Sequence, residues 1–335
     1  MTSPTDAAQL PTYADVIAAA ERLAPVAVRT PLLACPALDA LTGGRIFLKP
    51  EPLQRTGSFK FRGAYNRISR IPEAERAGGV VACSSGNHAQ GVAAAATMLG
   101  MRSVIVMPSD APALKRTRTL AFGAEVVSYE RGVDDRDAIA HAIATERGAT
   151  FVAPYDDRFV MAGQGTVGLE IAQDMTMLGL APDVVIANAS GGGLASGIAL
   201  AVKEAFPHAQ IYTAEPAGFD DHARSFQSGR RESNAQATGS FCDALLAATP
   251  GALTFQISSR IVGNGVAASD AEVARAVAFA FEEAKIVVEP GGAVALAAVL
   301  AGRLDLAGKT AAIVLSGGNV DAATFATCLT MAGKL

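Results

Sequence analysis

The sequence predicts an α/β fold of parallel sheets flanked by helices, and three observations predict it. Short β-branched runs alternate with Ala- and Leu-rich segments of helical length along most of the 335 residues. The runs are apolar at consecutive positions rather than alternate ones, as strands covered on both faces are. Several turns rich in Gly, Ser and Asn fall just after such runs, where open α/β sheets bind their ligands. Half of the residues are apolar and 18% are charged, a globular composition with length enough for two domains.

Taken in order, a helix is expected over 12–23, then the strand RIFLK (45–49) and a helix over 58–69. In TGSFKFRGA (56–64), Ser58 is placed to cap that last helix, so Lys60 and Arg62 fall in its first turn. The macrodipole disfavours a cation there, and a neutral amine fits better than an ammonium. Arg62 gains no role from this reasoning. The strands GVVACS (79–84), SVIVM (103–107), EVVSY (125–129) and TFVAP (150–154) are separated by helices expected over 88–99, 112–121 and 134–146. A helix over 165–176 leads to DVVIAN (183–188), a helix over 194–205 and QIYTAE (210–215). Helices over 270–283 and 293–301 precede the last strand, TAAIVLS (310–316). The polar stretch 220–240 reads as an exposed excursion within one domain.

Composition excludes several classes of function. A net charge of −4 offers no basic field to nucleic acid or an anionic membrane. The stretch from Val184 to Val202 approaches membrane-span length, but Asn188, Ser190 and three consecutive glycines interrupt it. It reads as strand, loop and helix. Cys35, Cys83, Cys242 and Cys328 form no CxxC pair and read as thiols in a reducing compartment. The opening MTSPTDAAQLPTYAD has neither a basic nor an apolar signal region, so a cytoplasmic protein is expected.

Four segments carry the chemistry: TGSFK (56–60), CSSGNH (83–88), ASGGGLASG (189–197) and LSGGN (315–319). In SGGGLASG, successive N–H groups can converge on an anion with a helix N-terminus behind them. No Walker lysine follows, so a small phosphate monoester fits better than a nucleoside triphosphate, and a plain tight turn is the alternative. GQGTVG (Gly163, Gly165, Gly168) matches the dinucleotide fingerprint. However, no clear strand precedes it and the distal acid, Asp183, begins a strand rather than ending one. An NAD-dependent oxidoreductase is therefore a remote alternative.

RTPLL (29–33), TGSFKFRGA, SSGNHAQG, AGQGT, SGGGL, TAEP, EPGGA and LSGGNVD occur in that order. Together they resemble the fold-type II pyridoxal-phosphate (PLP) enzymes, specifically the threonine/serine dehydratase and serine racemase group. The resemblance implies a tryptophan synthase β-like fold, with a large cofactor domain from residues 1–65 and 155–335 and a small substrate-gripping domain, 66–154, inserted in it. It implies that Lys60 holds the cofactor through an imine link, with Phe59 beside it. Asn87 would meet the ring hydroxyl, and Ser190, Gly191, Gly192, Gly193 and Leu194 would cradle the phosphate. Glu289, Ser316 and Gly317 would lie against the ring, with Ser316 facing its nitrogen. The family usually has a fourth glycine where Ser190 stands. Ser84, Ser85, Gly86, Asn87 and His88 would grip the substrate carboxylate, although an unaided His88 reads more simply as a core histidine.

The implied reaction is dehydration and deamination of a β-hydroxy amino acid of the L-threonine or L-serine type to a 2-oxo acid and ammonia. The Lys60 amine would act as general base. A hydroxyl at 316, unlike a carboxylate, does not hold the ring nitrogen protonated, which suits β-elimination over transamination. Ser85 stands where racemases carry their second base, so a serine or hydroxyaspartate racemase is one alternative, and a hydroxyaspartate dehydratase is another. Arg136 could meet a second carboxylate, as in hydroxyaspartate, whereas Phe122 and Tyr155 depart from the racemase pattern. Glu215, the Phe219 carbonyl and Asp221 have the spacing of the family's site for Mg²⁺, Mn²⁺ or Ca²⁺. The resemblance also implies a homodimer. With 14 residues beyond Asp321, no feedback-regulatory domain is expected.

Overall fold

The structure, a computed structural model, describes residues 9–111 and 113–335. The absence of signal-like residues at 1–8 and the expected helix start at Pro112 lie outside the described residues. Helix α1 (Tyr13–Leu23) is followed by β1 (Leu33–Ala34), α2 (Pro36–Thr42), β2 (Arg45–Pro50) and α3 (Lys60–Ile68). The chain continues through β3 (Val80–Cys83), α4 (Asn87–Met98), β4 (Ser103–Pro108), α5 (Ala113–Ala121), β5 (Glu125–Tyr129), α6 (Arg136–Arg147) and β6 (Thr150–Phe151). It then forms α7 (Arg158–Met177), β7 (Val184–Asn188), α8 (Gly193–Ala205), β8 (Gln210–Pro216), α9 (Asp221–Ser228) and α10 (Ala252–Ile261). The last elements are β9 (Asn264–Ala268), α11 (Asp270–Glu282), α12 (Pro290–Leu300), β10 (Thr310–Leu315) and α13 (Ala322–Met331).

Two sheets result. One runs β1-β2-β10-β7-β8-β9 and is parallel except at the β1–β2 pair; the other runs β5-β4-β3-β6 and is wholly parallel. The unbroken apolar strands now have their reason. In the larger sheet, Phe47, Val185 and Val314 pack with Val167 and Ile171 of α7 and Ile198 of α8. Their sequence neighbours Ile46, Ile186 and Ile313 pack on the other face with Val277 of α11 and Val294 of α12. In the smaller sheet, Val80 and Ile105 meet Val92 of α4, whereas Val81 and Val104 meet Ala140 and Ala144 of α6. Each fully buried Val or Ile stabilises by roughly 1.5–3 kcal/mol, so both faces of the central strands β2, β3, β4, β7 and β10 contribute.

Several expectations change. Helix α7 starts at Arg158, not near 165, because Asp157 caps it by accepting from the N–H groups of Phe159 and Val160 (2.8 and 2.9 Å). GQGTVG therefore lies inside a buried helix. A Cβ on Gly163 would come within 2.5 Å of the Arg62 carbonyl, and one on Gly168 within 2.7 Å of Ile198. These glycines let helices touch and form no phosphate turn, so the dinucleotide reading is overturned. Ser58 is not a cap either: α3 begins at Lys60 without a side-chain cap, and Ser58 is extended. Part of the expected excursion, Asp221–Ser228, is helix. Elements β1, β9, α2, α10 and α13 were not anticipated.

Candidate active site

Three of the chemistry-bearing segments converge at the start of α3. Ser58 pairs with Gly317 in an isolated antiparallel bridge, the Phe59 N–H donates to the Ser316 carbonyl (3.2 Å), and the Gly318 N–H donates to Gly57 (2.9 Å). These bonds hold the loop before Lys60 against the loop after β10. From the other side α4 closes in, since a Cβ on Gly91 would stand 3.1 Å from the Lys60 carbonyl carbon.

Among the described residues, no carboxylate pairs with Lys60. Its Nζ donates to the Pro154 carbonyl (2.7 Å), which also receives the Gln164 amide (3.2 Å), and lies 5.1 Å from the centre of the Phe59 ring. Desolvation pushes the amine down to about 8, so about a tenth of it is neutral at pH 7, far more than an ordinary lysine would offer. The dipole invoked from sequence is not needed for this shift. His88 is buried, with Nε2 on the Val152 carbonyl (2.9 Å), and burial followed by the Lys60 charge pushes it down to about 3. Its imidazole is a neutral core group. Its main-chain N–H lies in the first turn of α4, where helix donors lack an intrahelical partner.

The loop Ser84–Gly86 is half-buried, and a Cβ on Gly86 would meet nothing within 4 Å, so this loop borders open space. Asn87 opens α4 and donates from Nδ2 to Glu289 Oε1, while its Oδ1 accepts from Asn319 Nδ2 (2.8 Å). Burial pushes Glu289 up to about 7. Gly317 is tied in by the Glu289 N–H (3.1 Å), and a Cβ there would fall 2.2 Å from Glu289 Oε1. Ser316 Oγ accepts from Asn188 Nδ2 (2.9 Å), which leaves the serine's own proton free to donate.

Across from Lys60, β7 ends at Asn188 and the glycine loop leads into α8. Gly192 has φ +93°, a left-handed conformation that a side chain would strain, and α8 starts without a side-chain cap. Its first-turn N–H groups are thereby available to an anion. The loop is fixed from outside. Ser190 Oγ accepts from Ala247 N (3.2 Å), the Ser190 carbonyl accepts from His222 Nε2 (2.8 Å), and the Gly191 carbonyl accepts from Thr254 Oγ1 (2.6 Å). Leu194 is buried beneath it, and the Tyr155 ring presses on Gly191.

The geometry supplies an amine of lowered pKa, an uncapped helix start for a phosphate and a hydroxyl with its proton free to donate. The profile of a family described as "Pyridoxal-phosphate dependent enzyme" matches residues 23–317. The chain belongs to that family. Among relatives of the PLP enzyme, an L-threo-3-hydroxyaspartate ammonia-lyase from a Pseudomonas species is 43% identical over 321 residues, covering 96% of this chain and 99% of that one. The crystal structure of a T.th. threonine deaminase is 42% identical, with a TM-score of 0.87 over 93% of this chain and 99% of that one. The structure of maize serine racemase is 33% identical, with a TM-score of 0.89 over 96% and 98%. The neighbours share the parallel two-sheet architecture, and PLP is the cofactor of the family.

The residues present fit that cofactor, on two observations. The start of α8 behind the left-handed Gly192 has no side-chain cap, which leaves its first-turn N–H groups for a phosphate, and the buried Ser58 hydroxyl near Lys60 has no partner among the described residues. Other expected residues lie further out. Arg136 opens α6, exposed, with Asp137 at 3.8 Å. Glu215 accepts from the N–H groups of His222 and Ala223 (2.8 and 2.9 Å). Asp221 Oδ1 accepts from Asn234 (2.7 Å), while its Oδ2 has no partner among the described residues. Burial, then the Asp221 charge, holds Glu215 well above the usual carboxylate range; burial pushes Asp221 up to about 6. Phe219 is buried between them in sequence. Among the described residues, no cluster of three or more His, Cys, Asp or Glu is arranged to hold a metal. No described helix is long and apolar enough to cross a membrane. The four cysteines are free and buried.

Sequence reasoning missed Asn188, Asn319, Arg118, Gln164 and His222. The two asparagines carried a signal: each is a polar residue at or just beyond the end of an apolar strand, where open sheets place ligands. Gln164 lay in the AGQGT motif, but its role there was not read, whereas Arg118 and His222 carried no signal because their partners are distant in sequence.

Proposed function

We propose that the chain is a PLP-dependent ammonia-lyase that dehydrates and deaminates a β-hydroxy amino acid of the L-threonine, L-serine or 3-hydroxyaspartate kind. The observation that carries this reading is the desolvated Lys60 amine, pushed down to about 8, which among the described residues has no carboxylate and donates to the Pro154 carbonyl. Bound PLP supplies the electron sink for charge developing at the substrate Cα. Lys60 Nζ takes the α-proton as general base. The Ser84–His88 loop and the start of α4 hold the substrate carboxylate by N–H and hydroxyl donors. Asn87 and Ser316 would hold the ring, and the Ser316 hydroxyl, which accepts from Asn188, would be free to donate to it without supplying a negative charge. The β-hydroxyl departs as water, and hydrolysis returns one water, so the net products are the 2-oxo acid and ammonium.

Residues 66–154 form the smaller domain in this reading, closing on 1–65 and 155–335 to exclude water. Support comes from the four-stranded sheet, whose strands all lie between Val80 and Phe151. The 3-hydroxyaspartate option is favoured by the exposed guanidinium of Arg136, which can reach a second carboxylate. A divalent cation held by Glu215, the Phe219 carbonyl and Asp221 is favoured by the buried, unpartnered Asp221 Oδ2. A homodimer in the cytoplasm completes the proposal. Ser85, at the edge of the open space by Gly86, is the candidate second base for racemisation.

The deciding experiment is a 2-oxo acid release screen of threonine, serine and 3-hydroxyaspartate in both enantiomers, with chiral analysis of remaining substrate. Release from an L-substrate supports the lyase. Inversion without release would replace it by the racemase. Arg136→Ala is expected to raise KM for hydroxyaspartate about tenfold and spare threonine; equal effects would remove the dicarboxylate role. Chelator followed by Mg²⁺ should lower and then restore activity, and chelator-insensitive activity would reject the cation.

A further inference from the structure

Asn87 can meet the cofactor's ring oxygen in two ways, because the two ends of a side-chain amide have nearly the same shape and opposite hydrogen-bonding sense. What surrounds the amide decides which end faces the ring. Its Oδ1 accepts from Asn319 Nδ2 (2.8 Å), but Asn319 is itself an amide with the same ambiguity. Asn319 is anchored by two groups that have none. Its Oδ1 accepts from Arg118 Nη1 (2.9 Å), and its Nδ2 donates to the Thr56 carbonyl (2.7 Å). A guanidinium can only donate and a carbonyl can only accept. Glu289, the partner on the far side of Asn87, cannot fix the sense alone. Burial raises its carboxyl to about 7, and a protonated carboxyl donates as readily as it accepts.

We propose that Arg118 is a positioning residue which, through Asn319, holds the Asn87 amide with its nitrogen toward the cofactor ring. Arg118 lies on α5, beside the four-stranded sheet, whereas Asn319 follows β10 of the six-stranded sheet. The hydrogen bond therefore crosses between the two halves of the molecule, and it exists only when α5 is docked. A positive charge at one end polarises both amides in the same direction, which strengthens the free Asn87 N–H as a donor to an ionised ring oxygen. Thr56 favours the same sense, so losing Arg118 weakens the arrangement without inverting it. One turn earlier, Lys115 pairs with Asp243 and bridges the same gap without touching either amide. That pair gives the control. The inference rests on Asn87 facing the cofactor, as proposed above.

The test titrates apoenzyme with PLP, following affinity and the visible absorption of the bound cofactor, for wild type, Arg118→Ala, Arg118→Lys and Lys115→Ala. Arg118→Ala should bind PLP about tenfold more weakly, the loss of one charge-assisted hydrogen bond, and shift absorption toward the shorter-wavelength form with the ring oxygen protonated. Arg118→Lys, which keeps one donor, should recover most of both. Lys115→Ala should resemble wild type. An Arg118→Ala protein with unchanged affinity and spectrum overturns the proposal, and so does a Lys115→Ala protein that matches Arg118→Ala, because docking alone would then account for the effect. A wild type that binds PLP with these variants unchanged leaves the lyase reading intact; a wild type that binds none defeats both.

Discussion

Lys60 and Arg62 stand two residues apart in the first turn of α3, and both put a cation where the helix dipole opposes one. Their surroundings could hardly differ more. Arg62 is 1% exposed and grips Glu51 with Nε and Nη2 (both 2.8 Å) and Glu170 with Nη1 and Nη2 (2.6 and 2.9 Å). Lys49 adds a bond to Glu170 (2.6 Å), and Thr30 adds one to Glu51 (2.7 Å). Despite burial, those carboxylates raise the guanidinium further above its usual value. Lys60 receives one carbonyl and a phenyl ring, and desolvation lowers it to about 8. A buried cation given carboxylates becomes a structural fixture, whereas one denied them becomes a base. Arg62, for which the sequence offered no role, holds the helix that presents Lys60.

The contrast can be broken most directly at Lys60. Lys60→Ala should lower 2-oxo acid release by about 10²–10⁴-fold, the scale of a lost general base, while the unfolding midpoint of the apoprotein holds or rises. Release within a few-fold of wild type would sink the assignment. Arg62→Met should behave in the opposite sense. Leaving Glu51 with no paired cation among the described residues and Glu170 with Lys49 alone should cost about 3–5 kcal/mol in denaturant unfolding, and joint replacement of both glutamates by glutamine should recover part of it. A loss under about 1 kcal/mol would mean the network adds little beyond packing. The smallest effect concerns protons. The Lys60 amine is near 8 when folded and 10.5 in its ordinary state, so over that window the unfolded chain binds more protons there. Its contribution to apoprotein stability should thus rise with pH from about 8 to 10.5. The wild-type curve should show this slope relative to Lys60→Met, and parallel curves would place the amine at its ordinary value.

Much of the site was legible because its residues lie in short contiguous motifs. Lys60, Asn87, the glycine loop and Ser316 needed only local sequence and a fold rule about strand ends. Arg62 was not legible, since its partners are 11 and 108 residues away and no local pattern joins them. Helix α7 was cut short for a related reason. Gly163, Gly165 and Gly168 lower helix propensity and imitate a phosphate turn, while what they serve is close contact with α3 and α8. Strand β9, with Asn264 and Gly265, carries too little β propensity to stand out, and its pairing with β8 makes it a strand. Ser58 fits a helix cap by type, but its pairing with Gly317 holds it extended.

The Pro154 carbonyl accepts from Lys60 and also from Gln164. When the lysine nitrogen is called away to the cofactor or to a substrate proton, that acceptor keeps a donor, and no buried carbonyl is stranded. The departure is therefore cheap, and so is the return. A turnover cycle asks the same amine to leave and come back each time, and a spare amide on a neighbouring helix is what makes the exchange repeatable.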